Sequence, residues 1–267
     1  MKKRKIGIIG VGVVGSAVKF GLEQLGHKVK VHDIKLDTKI IDVLDCELCY
    51  ICVPTPSDEE GECNTFIVKS VIDELTLNNY KGIIAIKSTI VPGTTKDFIE
   101  EYENDKICFV PEFLRERCAI SDFCENHDLC VIGTDNNEIY KIIKSSHGKY
   151  PQKFVQLSPT EAELSKYFNN TFFASLIIFA NSFYEICEGL GVDYNNVKEA
   201  IVNRKFISDY YLDCNDNLRG FGGVCLPKDT KALDMLSKKL ELNVEFFNNI
   251  LTENSKYKTT IFKGMRK

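Results

Sequence analysis

Read for apolar and polar positions, the first half of the chain alternates short apolar runs with amphipathic stretches. "KIGII" is apolar up to a glycine, "VVGSAVKFGLEQLG" spaces its apolar residues helically, and "HKVKVHD" alternates strictly. Those patterns predict strand, glycine turn, amphipathic helix and strand in that order. The rhythm continues with "LCYICVPTP" as strand and turn, 65–78 as helix, "GIIAIKSTIVPGTT" as strand and loop, 94–103 as helix, and short strands near "ICFVPEF" and "LCVIG". Such alternation predicts an α/β domain over 1–157, a doubly wound, mostly parallel sheet with helices on both faces.

The second half changes period. From Pro159 to about Glu188 no internal Pro or Gly interrupts the pattern, and Gly189 and Gly191 punctuate its end. A helix of roughly 29 residues would run about 43 Å. Its middle, "FFASLIIFA", is apolar all round, so it is expected between layers or at a subunit interface, and a homodimer built around it follows. Lys166 and Asn170 stand four apart on one helix face and argue against a membrane span. Helices are further predicted over 193–203, 229–241 and 244–252, making 158–267 an all-α domain.

Composition narrows the function classes. A net charge of −4 over 267 residues excludes a general nucleic-acid binder, which needs clustered Lys and Arg. The start "MKKRK" and the basic tail "KYKTTIFKGMRK" read as solvated termini. Five glycines between residues 7 and 21, with Lys19, speak against a signal peptide. Eleven cysteines, an odd number, fit a reducing cytoplasm rather than a disulfide framework. Cys46, Cys49 and Cys52 imitate a metal motif, but their odd spacing along "ELCYICV" predicts opposite strand faces, so they read as structural and no metal site is expected.

Gly10, Gly12 and Gly15 form G-x-G-x-x-G between an apolar strand and a helix, with Val14 inside the motif. That context marks a Rossmann-type dinucleotide site: tight turn at Gly10, pyrophosphate approach at Gly12, helix-on-strand packing at Gly15. Asp33 ends the second strand 18 residues after Gly15, placed to accept a ribose hydroxyl and to repel a 2′-phosphate. NAD is therefore expected over NADP, with Lys35 slightly against that preference. Thr55, Thr89 and the run Glu112, Phe113, Leu114, Arg115, Glu116 fall at strand carboxyl ends, where the cofactor crevice should lie.

"RGFGGVCLPKD" at 219–229 sets Cys225 among glycines with Lys228 and Asp229 close by. With "GVGVVG", "VPTP", "STIVPGTT", "PEFLRE" and "EAELSKYFNNT" in order before it, the chain resembles the UDP-glucose/GDP-mannose dehydrogenase family, NAD-dependent enzymes that oxidise a nucleotide-sugar C6 alcohol to a carboxylate. The resemblance implies Cys225 as nucleophile and Lys166 with Asn170 as holders of the reacting oxygen. It implies Asp229 as base or water-positioning group, and Thr89 and Glu116 in water and proton handling. Residues Glu112 to Glu116 and Gly222 would lie against the nucleotide sugar, and Lys228 beside Cys225 and the nicotinamide. UDP-glucose is the expected substrate. Family members normally continue into a further nucleotide-binding domain, so the sequence is expected to be a short form. The alternatives are a two-electron hydroxyacid-type dehydrogenase and a non-catalytic NAD-binding subunit.

Overall fold

The structure, a computed structural model, describes residues 2–57 and 63–259; the last eight residues of the basic tail, 260–267, lie outside them. The chain divides into two compact units whose boundary falls between Lys166 and Tyr167.

The first unit is a sheet with helices on both faces. Its elements are β1 (Lys5–Ile9), α1 (Val13–Gln24), β2 (Lys28–His32), β3 (Leu48–Ile51), α2 (Phe66–Leu77), β4 (Ile83–Ile86), α3 (Thr94–Glu101), β5 (Ile107–Phe109), α4 (Ala119–Cys124), β6 (Leu129–Gly133), α5 (Asn137–His147) and β7 (Lys153–Leu157). Strand order is β2-β1-β3-β4-β5-β6-β7, and every neighbouring pair is parallel except β5 with β6. Alternate strand residues feed two apolar layers. Ile51, Ile84, Ile86 and Phe109 pack with Val68 and Ile72 of α2 on one face. Ile6, Ile8, Tyr50 and Ala85 pack with Val18 and Leu22 of α1 and Phe123 of α4 on the other. Continuous apolar strands such as "LCYI" and "IIAI" are what burial on both faces requires.

Two expectations need correction here. Cys46 shares an apolar layer with Cys49 instead of facing away from it, because Cys46 sits in the turn before β3 and escapes the strand's alternation. Cys52, by contrast, packs towards the opposite layer. Neither α5 nor β7 was anticipated, although α5 carries an ordinary start signal: the Asn136 side chain accepts the Glu138 N–H at 2.9 Å.

The second unit is helical. Its long helix α6 (Pro159–Leu190), which begins within the sheet unit, is followed by α7 (Tyr194–Val202), α8 (Leu226–Lys239) and α9 (Phe246–Asn254). One side of α6 enters two small cores, Ala180, Tyr184 and Cys187 with Tyr194 and Leu212, and Ala174, Ile177 and Ile178 with Phe221 and Ile250. By length and apolarity α6 is also long enough to cross a membrane. The other side leaves Phe168, Phe172, Phe179, Phe183, Ile186 and Leu190 exposed. Helix α8 starts at Leu226, three residues before the expected 229. Cys225 takes the N-cap position, its carbonyl accepting the Asp229 N–H at 2.9 Å, and Pro227 occupies the first turn, where a missing N–H costs nothing.

Candidate functional site

Because β2, β1, β3, β4 and β5 run parallel side by side, their carboxyl ends share one edge of the sheet. The loops leaving that edge, and the first turn of α1, hold every candidate residue before α6. Gly10 has φ +90°, and a Cβ there would lie 2.6 Å from the Cys52 carbonyl oxygen. A Cβ on Gly15 would lie 2.0 Å from the Gly10 oxygen, so this glycine is demanded by helix-on-turn packing. Gly12 differs: a Cβ there would meet nothing within 4 Å. No protein contact requires glycine at position 12, but a ligand's close approach would. The first turn of α1 carries neither a capping side chain nor an acid, which leaves its N–H groups to an anion. Val14 packs partly into the layer beneath.

Asp33 reaches back across this turn. Its Oδ2 accepts the Val11 N–H at 2.6 Å and its Oδ1 the Lys35 N–H at 2.8 Å, and those two bonds hold its carboxyl below the ordinary range. The Lys35 residue itself is exposed. The residues present thus fit a dinucleotide: a backbone cradle with one open glycine, a helix start and a carboxylate at the ribose position.

On the loops after β3 and β4, Thr55 and Thr89 are both half-buried. Cys63 lies between them, its thiol directed at the Thr89 carbonyl at 3.1 Å and the Thr55 carbonyl at 4.0 Å. The loop after β5 is held from both ends. Lys87, buried at the end of β4, donates to the Val110 carbonyl at 3.1 Å, and its burial lowers its pKa. Lys166, buried on the first turns of α6, donates to the Glu112 carbonyl at 2.7 Å and to its Oε1 at 2.9 Å. The other Glu112 oxygen accepts the Leu114 N–H at 2.6 Å. The Phe113 ring lies 5.8 Å from the Lys166 ammonium. Arg115 grips Asp122 of α4 through Nε at 3.0 Å, Nη2 at 2.7 Å and its backbone N–H at 2.8 Å. Glu116 is exposed.

In the helical unit a second cluster forms around Asp229, which is 1% exposed. The Asn170 amide donates to its Oδ2 at 2.6 Å, and Lys228 pairs with its Oδ1 at 2.7 Å. Asn169 in turn donates to the Asn170 oxygen at 3.0 Å. Asp229 sits one helical turn after Cys225, which is exposed at the N-terminus of α8. Gly222 is half-buried, and Gly220 and Gly223, with φ +51° and +79°, bend the chain on either side of it. The structure therefore gathers Asn170, Lys228, Asp229 and Cys225 around one helix start, and Glu112 with Lys166 around another.

Sequence reading missed Lys87, Cys63, Asp122 and Glu163 as supporting groups. One of them was visible as a charge inside an apolar run, Lys87 after "IIAI", whereas Glu163 lies in the mixed stretch "TEAELSK" and carries no such mark. An ion at a position whose neighbours are all buried needs a partner. The Cys63 contact depends on two loops meeting and leaves no local mark.

Comparison with known proteins identifies the family. The family model for the NAD binding domain of the UDP-glucose/GDP-mannose dehydrogenase family matches residues 36–149, and that for its central domain matches 160–256. A UDP-glucose 6-dehydrogenase of Rickettsia bellii is 29% identical over 93% of this chain, which spans 66% of that relative's length. A solved UDP-glucose dehydrogenase from the hyperthermophilic archaeon Pyrobaculum islandicum superposes with TM-score 0.87 at 25% identity, over 96% of this chain and 68% of its own. A 3-hydroxyisobutyrate dehydrogenase of Mycobacterium tuberculosis shares the fold, with TM-score 0.75 at 13% identity over 96% of this chain and 94% of its own. With both family domains matched in order, the chain belongs to the UDP-glucose/GDP-mannose dehydrogenase family, and its cofactor is NAD.

Proposed function

We propose that the protein oxidises the C6 alcohol of a UDP-sugar, UDP-glucose first among them, to the carboxylate through a covalent intermediate on Cys225. The observation that carries this reading is the buried Asn170–Asp229–Lys228 cluster one turn from an exposed thiol. Burying a carboxylate and an amide beside a half-buried ammonium is expensive unless the fold gains something from them, and in this reading the gain is chemistry at the sulfur.

When bound, NAD accepts a hydride in each of two oxidations. Between those steps the chain has to keep the aldehyde from escaping. Cys225 adds to the aldehyde carbon as a thiohemiacetal, the second oxidation leaves a thioester, and water releases the carboxylate and restores the thiol. Lys166 and Asn170 are donors suited to the oxyanions of those steps, each worth about 3–4 kcal/mol when well placed. Asp229 orients water or takes its proton, and Thr89 and Glu116 support that transfer. The loop from Glu112 to Glu116, with Gly222, contacts the sugar nucleotide.

The test is NADH formation from a panel of UDP- and GDP-sugars. Two NADH per sugar, lost in Cys225→Ala with NAD affinity retained, is the expected result. Cys225→Ser is expected to stall as a slowly hydrolysed ester. One NADH per substrate, independent of Cys225, would establish a two-electron hydroxyacid-type dehydrogenase instead. Cofactor binding without turnover would establish a non-catalytic subunit.

A further inference from the structure

Among the described residues of the sheet unit Glu163 is the most deeply buried carboxylate, with no exposed surface, and no step of the chemistry above uses it. It projects from the second turn of α6, three residues before Lys166. Its Oε2 accepts the Gly93 N–H at 2.6 Å and its Oε1 the Thr95 N–H at 2.8 Å. Those donors flank the start of α3, whose N-cap, Gly93 at φ +103°, has no side chain to satisfy them. A carboxylate supplied from another helix therefore caps α3, favoured by the positive end of the helix dipole. Burial raises the Glu163 pKa, while the N–H bonds oppose that rise.

Two further features fix the start of α6. Ala162, the preceding residue, lies against Gly133 at the end of β6, where a Cβ on the glycine would come within 2.5 Å of the alanine methyl. Ser158 and Glu161 bond each other at the helix entrance, with the Ser158 N–H donated to Glu161 at 2.9 Å. The Ala162 contact sets how closely α6 approaches the sheet but leaves rotation about the helix axis open. Glu163 removes that freedom, since residues three apart on a helix lie on neighbouring lines of its surface.

We infer that Glu163 is a positioning residue: by capping α3 it sets the rotation of α6 and so aims the Lys166 ammonium at Glu112. The segment entering α3 leaves β4 and carries Thr89, and the segment with Glu112 leaves β5, so one stretch of α6 holds two loops that leave different strands, the first through Glu163 and the second through Lys166. The importance of this aim for turnover rests on the function proposed above, whereas the aim itself does not.

The test follows Lys166 directly. In the full chain, acetic anhydride labelling with peptide mass spectrometry reads the reactivity of each lysine, and exposed Lys141 serves as internal standard. Wild-type Lys166, 4% exposed, should label slowly. In Glu163→Gln, where an NH2 group is set against an N–H donor, its labelling should rise at least about tenfold as the aim loosens. NAD affinity should stay within about twofold of wild type, and NADH formation from UDP-glucose should fall about 100-fold in kcat with little change in KM. Glu161→Gln, which weakens the helix entrance alone, should change neither readout. Should Glu163→Gln fail to fold, Glu163→Asp keeps the charge but draws it back by one methylene, and is expected to raise Lys166 labelling to a smaller extent. Wild-type labelling of Lys166 in a folded Glu163 variant overturns the proposal, even if the melting temperature falls. Absence of NADH from every nucleotide sugar with the wild-type chain refutes the proposed function and leaves the labelling result to judge Glu163.

Discussion

The two units hold their charges by different means. In the sheet unit the partners are largely main chain: Asp33 on the Val11 and Lys35 N–H groups, Glu163 on those of Gly93 and Thr95, Lys87 on the Val110 carbonyl. In the helical unit they are side chains: Asn170 and Lys228 on Asp229, Lys198 on Asp209 and Asp213, Arg219 on Glu185 and Asn181. A main-chain partner comes with the topology and survives substitution of its own side chain. A side-chain network depends on each member, because substituting one removes its bonds to the others.

The largest break in this contrast is expected at Asp229. Asp229→Ala removes the acceptor of the buried Asn170 amide and the carboxylate paired with Lys228, and should lower the unfolding free energy by about 3–5 kcal/mol in urea denaturation. A double-mutant cycle with Asn170→Ala should show a coupling of about 0.5–3 kcal/mol. Simple additivity of the two losses would mean that the cluster does not act as a unit.

A slightly smaller effect is expected on the outer side of α6. Phe168, Phe172, Phe179, Phe183, Ile186 and Leu190 recur at spacings of three, four and seven, one helical stripe, and all are exposed. Phe168 stacks on Phe172 with 16° between rings, and Phe179 lies 4.8 Å from Phe183. We propose that a second copy of the chain covers this stripe across a two-fold axis. Phe172→Glu with Phe183→Glu should weaken dimerisation at least about 100-fold in analytical ultracentrifugation. A wild-type monomer at micromolar concentration would instead leave the stripe without that partner.

How much could be read beforehand divides along the same line. The glycine turn, the acid after β2 and the carboxyl-end loops were legible, because strand periodicity and a short motif place them locally. Lys166 and Asn170 stood out as polar residues in an apolar helix. That Glu112 and Asp229, themselves candidates, would be their bonding partners did not, since they lie 54 and 59 residues away and only the folded chain brings them close. Strand β7 escaped notice because "KFVQL" at the sheet margin has an exposed first residue and half-buried remainder, without the continuous apolar run of the central strands. The Cys46 orientation was misread by extending strand alternation two residues into a turn.

Acid should separate the units next. All four histidines, His27, His32, His127 and His147, lie in the sheet unit. Burial pushes His127 down to about 4 and His147 down to about 3, within an aromatic cluster with Phe123 and Tyr150. A histidine whose folded pKa is depressed is held neutral by the fold and binds its proton more readily when unfolded. Its stabilising effect is therefore intact above about pH 6.5 and is lost as pH falls from there towards the folded value. Between pH 7 and pH 5 each should contribute about 2 kcal/mol of lost stability. Hydrogen exchange should show β3, β6 and α5 losing protection over that interval while α8 and α9 keep theirs. His147→Phe, which keeps a ring but cannot be protonated, should remove about half of the dependence; an unchanged slope would remove His147 as a cause.

The smallest effect is expected where the main chain does the holding. Asp33 is half-buried and both of its oxygens rest on N–H groups, so Asp33→Ala should cost about 1 kcal/mol or less in stability, far below the loss at Asp229. Its consequence is selectivity. In the wild type the carboxylate occupies the Val11 and Lys35 N–H groups and repels a 2′-phosphate, so NAD should bind well and NADP poorly. Once the carboxylate is removed, those N–H groups and the exposed Lys35 side chain face the ribose position as donors and a cation, an arrangement suited to phosphate. NADP affinity in Asp33→Ala, followed by fluorescence titration, should rise about tenfold while NAD affinity falls by a similar factor, the worth of about 1.4 kcal/mol each way. Adding Lys35→Ala should abolish most of the gain in NADP affinity with little further change for NAD. Equal affinity for the two cofactors in the wild type would show that Asp33 serves only to brace the glycine turn.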